Sequence, residues 1–142
     1  MRFAICLLPL LLGSCNLTGN VSSEERAWTA SPDGQTHAIL IETNGGATTA
    51  YGYLVELHPS DHQGEKPVRA AKLYRVASDC EFGPAIHWRD ADTLTVGFET
   101  AQQIQVNEEV TVGRKKIHVI VDRTLGDPAK PCKGMIGRGR KT

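Results

Sequence analysis

Long apolar runs are scarce in this chain, and the scarcity excludes a multi-span helical membrane protein. The one sustained run, Phe3 to Leu12, falls well short of the roughly 20 residues that cross a bilayer. Excess charge of one sign is also missing: Lys+Arg and Asp+Glu are 16 each. A neutral balance offers no electrostatic footprint for nucleic acid. Cysteine is sparse, four in 142 residues, and no two stand in a Cys-x-x-Cys spacing, which argues against a zinc ribbon or a thioredoxin-type dithiol. There is no Gly-x-Ser-x-Gly elbow for a serine nucleophile and no Walker-type lysine after the glycines at 45–46. No segment sustains the 3.6-residue periodicity of an amphipathic helix.

What is present begins at the N-terminus. Arg2 supplies a positive n-region, Phe3 to Leu12 an apolar h-region, and Gly13 and Ser14 the small residues of a cleavage site. That layout is a secretory signal peptide. The residue at the cut is Cys15, and Leu12-Gly13-Ser14-Cys15 resembles the bacterial lipobox. The resemblance implies a diacylglycerol on the Cys15 thiol and an acylated new N-terminus. One acyl chain anchors a protein only marginally, whereas two or three hold it stably. Asn16 stands where aspartate is the usual inner-membrane retention signal in enteric bacteria, so the expected address is the outer membrane.

Removing residues 1–14 leaves 128, enough for one domain that buries roughly two-thirds of its unfolded surface. The expected organisation is a signal peptide at 1–14, a tether at 15–27, a β domain at 28–133 and a flexible tail at 134–142. With Cys6 lost and Cys15 acylated, Cys80 and Cys132 remain. In an oxidising envelope compartment they are expected to form one disulfide, closing a loop of about 50 residues worth roughly 4 kcal/mol in the chain-entropy model.

The body reads as all-β: a small antiparallel meander folded into a sandwich, a small barrel or propeller-like blades. Residues 16–23 read as a flexible spacer, and Ser23-Glu24-Glu25-Arg26 as one helical turn, since serine caps well and acids suit a first turn. Ser31-Pro32-Asp33-Gly34 is a turn. Strands are expected at 37–42, 51–57, 71–76, 85–88, 93–98, 103–106, 110–112 and 116–121. Ile104 and Val106 match Val110 and Val112 across Asn107-Glu108-Glu109 as a hairpin, and Gly113-Arg114 is the next hairpin turn. Trp28 and Trp88 are expected in the core.

Trp28-Thr29-Ala30-Ser31-Pro32-Asp33-Gly34 resembles the opening of a blade in TolB-type β-propellers. His87-Trp88-Arg89-Asp90-Ala91-Asp92, with the strand after it, resembles a second such element. Two units do not close a propeller. Over residues 28–98 the order Ser-Pro-Asp-Gly, strand, Gly-Ala-Thr-Thr, strand, Trp88 is similar to a group of uncharacterised bacterial envelope proteins. In that group a cysteine precedes Gly-Ala-Thr-Thr, whereas here Gly45 stands there. The resemblance implies no known activity.

Chemistry-bearing clusters are few. His58-Pro59-Ser60-Asp61-His62 has metal-type ligands, but its residues read as a solvated polar loop. Asp90 and Asp92 flank a turn, and nothing pairs them with Glu42 or Glu56 as a glycosidase would require. The Gly-rich turn at 45–49 is the candidate binding surface, with Thr48, Thr49 and Tyr51 as its contact residues. The expectation is therefore a non-catalytic binding or structural module without cofactor or metal, held to the membrane by its lipid and facing an envelope protein partner. The alternative is an inhibitor or immunity lipoprotein against an envelope hydrolase or toxin.

Overall fold

The structure, a computed structural model, describes residues 21–46, 48–61, 65–77 and 83–124. Among the described residues nine strands make two facing sheets: β1 (Ser22–Ala30), β2 (Thr36–Asn44), β3 (Gly52–Pro59), β4 (Val68–Ala77), β5 (Ala85–Trp88), β6 (Thr93–Gly97), β7 (Thr100–Val106), β8 (Glu109–Val112) and β9 (Lys115–Asp122). The first sheet runs β1-β2-β3-β4-β7, and the second runs β5-β6-β9-β8. The protein is all-β, a small sandwich whose first four strands are an antiparallel meander.

Alternation builds the core. In β2 and β3 the side chains of Ala38, Leu40, Tyr53, Val55 and Leu57 point inward, while their neighbours are only half-buried. Leu94, Val96, Ile117 and Val119 answer from the second sheet, and Phe98 fills the space between. One break in the alternation is a bulge between Val55 and Glu56, which turns both Ala70 and Ala71 of β4 inward.

Three expectations are corrected. The helical turn at Ser23–Arg26 and the end of the flexible spacer are strand: β1 begins at Ser22 and pairs with β2 from Ser22↔Asn44 to Ala30↔His37. The polar, helix-favouring run is used as an edge strand that needs no apolar face, and a bulge at Arg26 absorbs its irregularity. Trp28 is not in the core but 63 % exposed, because its register opposite Ile39 puts it on the outer face while Thr29 faces inward. The hairpin between 103–106 and 110–112 does not form. Instead β7 closes the edge of β4, and β8 crosses to the second sheet. Asn107 fixes that crossing, its backbone N–H donating to Ala70 O at 2.9 Å and its side-chain amide to Arg69 O at 2.8 Å. The Gly113-Arg114 turn does join β8 to β9, with Gly113 at φ 60°.

The sandwich has two poles. At one, the β1–β2, β5–β6 and β8–β9 turns meet. Lys115 Nζ donates to Asp33, contacts Asp92 at 3.2 Å and donates to Ala91 O at 2.7 Å. The two propeller-like elements are thus the β1–β2 and β5–β6 hairpins, which belong to different sheets and are joined at their turns. At the other pole lie Val21, the β2–β3 loop, the crossings β4–β5 and β6–β7, and the end of β9, where Phe98 N–H donates to Asp122 O.

Candidate functional site

The β2–β3 loop at the second pole is ordered by its own short hydrogen bonds. Asn44 Oδ1 accepts from Gly46 N–H at 2.9 Å, and Gly46 O accepts both the N–H and the hydroxyl of Thr49, at 3.1 and 3.0 Å. Gly46 takes φ 109°, a region closed to side-chain-bearing residues. A Cβ on Gly45 would stand 2.8 Å from Thr49 Oγ1, so both glycines are demanded by the turn. Thr48 and Thr49 are exposed, and Tyr51 is half-exposed. All three candidate residues thus face solvent.

Tyr51 is fixed from the neighbouring strand. Its carbonyl accepts the N–H of Arg75 at 3.0 Å, and Arg75 holds φ 53°. A left-handed conformation costs a residue with a Cβ roughly 1–2 kcal/mol, so β4 stores strain beside the loop. Next to Thr49 is a hollow of about 240 Å³ whose walls include Val21, Leu54, Lys72 and Tyr74. Gly52 forms its floor, since a Cβ there would lie 2.7 Å from Thr43 Oγ1. These walls were not legible as a site, because long-range strand pairing assembles them: Gly52 pairs with both Thr43 and Tyr74.

Behind the loop Tyr53 turns inward, and its hydroxyl donates to Glu42 at 2.9 Å. Burial, and then the Glu42 carboxylate, push the phenol up to about 12. Arg26 donates to the other Glu42 oxygen at 2.5 Å, so Glu42 is a neutralised structural carboxylate. Gly83, at φ 76°, packs on the Tyr53 ring so closely that a Cβ would overlap it.

The other pole carries an open groove of about 710 Å³ between the β1–β2 turn, Pro59 to Asp61, Glu65 and the β8–β9 turn. Lys115 is its fixed charge. Partial desolvation lowers the ammonium, but hydrogen bonds to Asp33 and Asp92 outweigh it and raise it above its ordinary value. Lys115, Ser31 and the Gln35 amide hold Asp33 well below the usual carboxylate range.

The remaining candidates separate. Asp90 accepts the Asp92 N–H at 2.9 Å within its own turn, while Glu42 lies at the opposite pole and Glu56 on the outer face of β3. His58 stands across from His37 on β2, with Nε2 3.7 Å from Glu56, and Asp61 is exposed. Among the described residues no three His, Cys, Asp or Glu side chains converge as metal ligands. Cys15, Cys80, Cys132 and His62 lie outside the described residues. Comparison of the chain with protein-family models, curated proteins and solved structures returned no match.

Proposed function

We propose that this chain is a lipid-anchored protein of the bacterial cell envelope, acylated at Cys15 and acting as a non-catalytic binding or structural module. The observation that carries the reading is the Leu12-Gly13-Ser14-Cys15 box at the end of an h-region. The surface formed by Thr48, Thr49 and Tyr51 is its partner-facing patch. Support comes from the two glycines that hold the loop and from the strained Arg75 backbone beside Tyr51. Only seven peptide steps separate Cys15 from Ser22, the first residue of β1, a reach of at most about 25 Å. The patch then lies close to the membrane, and the partner is an envelope protein met near the lipid surface.

Two measurements test the reading. Cys15→Ser should move the protein from the membrane to the soluble fraction, and unchanged membrane retention would refute lipidation. Crosslinking in intact cells followed by affinity capture should return an envelope partner.

A second reading, an inhibitor or immunity lipoprotein against an envelope hydrolase or toxin, draws on the groove around Lys115. That groove lies at the pole away from the tether, where a soluble enzyme would arrive first. Inhibition of a lysozyme or an envelope peptidase by the purified domain distinguishes it from the first.

A further inference from the structure

The two sheets of the described residues end in β1, β7, β5 and β8, and three of these edges are guarded. β5 and β8 are only four residues each. β1 is nine residues long, but it carries Glu24, Glu25 and Arg26 and a bulge, devices that discourage edge pairing. β7 has none of these. Its seven residues, Thr100-Ala101-Gln102-Gln103-Ile104-Gln105-Val106, include no charge, no proline and no glycine. Its register against β4 is constant from Ala71↔Val106 to Ala77↔Thr100. Just beyond it, Asn107 N–H donates to Ala70 O at 2.9 Å. The alternation of an antiparallel pair therefore turns the backbone groups of Gln103 and Gln105 toward β4. Those of Gln102, Ile104 and Val106 point the other way, where no strand among the described residues stands.

We propose that the β7 edge is an interface with a second copy of this chain, the two β7 strands pairing antiparallel about a two-fold axis at Gln103. Gln103 is the midpoint of β7, so this register overlaps the whole strand. Gln102 of one copy stands opposite Ile104 of the other, and Thr100 opposite Val106, which brings the edge-facing backbone groups together. Gln103 meets its own counterpart in a non-hydrogen-bonded pair, where side chains come closest. A primary amide both donates and accepts, so the exposed Gln103 is complementary to itself. Like charges do not meet: Glu99 stands opposite Asn107. The same operation at the midpoint of β1 would set Arg26 against Arg26. This self-complementarity is what selects a second copy as the occupant, joining two five-stranded sheets edge to edge in an isologous contact. A single strand pair lies at the low end of interface sizes, so the association is reversible.

The test traps the pair covalently in the full chain. Gln103→Cys is expressed in intact cells and treated with an added thiol oxidant, the parent chain setting the background from its own cysteines. The expected product is a homodimer whose link maps to the two introduced thiols. Opposed Cα atoms in such a pair lie about 4.5 Å apart, within disulfide reach. Gln105→Cys is the register control: its two copies stand four residues out of step, about 13 Å along the strand, and should not link. Adding Gln102→Pro to Gln103→Cys removes one edge-facing N–H from each copy and should lower the linked fraction about tenfold. Proline is tolerated where a strand's N–H faces away from its sheet, so the melting temperature should hold. No homodimer from Gln103→Cys, equal linking by Gln105→Cys, an undiminished yield with Gln102→Pro, or a link to a different protein would overturn the proposal. None of these outcomes bears on acylation, which mass measurement of the native N-terminus reads separately.

Discussion

The indole N–H of Trp88 donates to the backbone carbonyl of Thr29 at 3.1 Å, so the last residue of β5 is tied to edge strand β1 of the opposite sheet. Trp88 is 6 % exposed and closes the core beneath the Arg89–Asp92 turn. Trp88→Phe keeps most of the packing but removes that hydrogen bond, for a cost of about 0.5–1.5 kcal/mol. Trp88→Ala also opens a cavity and should cost about 3–5 kcal/mol. Urea unfolding should show both as lower midpoints at an unchanged slope. Equal losses for the two variants would mean that the hydrogen bond, and not the ring volume, dominates.

The turn pole should be sensitive to acid. Asp33 is depressed in the folded state, chiefly by Lys115. A group depressed on folding adds stability above its unfolded value, near 3.8, and loses it as the pH falls toward the lower folded value. Stability should therefore decline from about pH 5 toward about pH 2, and Asp33→Asn should flatten that decline. A variant profile parallel to the parent would show that the contact contributes nothing in solution.

At the candidate patch, replacing Thr48, Thr49 and Tyr51 together by Ala should abolish partner capture in a pull-down. All three are solvent-facing, and surface changes of this kind usually stay within about 0.5 kcal/mol each. The melting temperature should hold almost steady while capture disappears. Undiminished capture would move the binding surface elsewhere, with the groove around Lys115 the next place to mutate.

The cysteine pair has its own measurement. Cys80 comes three residues after the end of β4 and Cys132 eight residues after Thr124, and both of those points lie at the same pole. Eight residues extend up to about 28 Å, which is ample to meet. Non-reducing peptide mapping of exported protein should find the Cys80–Cys132 link, and reduction should cost roughly 4 kcal/mol on the chain-entropy model. Two free thiols would end the assignment.

Eight strands, β2 to β9, were legible because local chemistry and tertiary demand agreed. Pro32, Asp33 and Gly34 announce the turn before β2, and Leu94 and Val96 alternate into the core. β1 was not legible, because Ser22–Ala30 is an edge strand with almost no inward apolar residue, and its Ser-Glu-Glu start mimics a helix cap. The partner of β7 was hidden for another reason. Its match to β8 in sequence is real, but the open edge of β4 captures it, and local pattern does not report that choice. At the candidate site the glycines and threonines were readable, whereas Lys72 and Tyr74 arrive only through the register of β3 against β4. Trp28 shows the narrowest margin: one step of strand parity decides between core and solvent.

The parallel pairing of β6 with β9 sets an order of assembly. β9 is an interior strand, bordered by β6 and β8, and is the last of the described strands. As the polypeptide is synthesised, the first sheet has all five of its strands once Val106 has emerged, but the second remains a lone β5–β6 hairpin until Asp122. Until then β6 presents a bare backbone edge, which invites association between chains. Truncation before β9 should thus yield an aggregating species and not a smaller stable domain, and a holding chaperone would be needed most over the final strand.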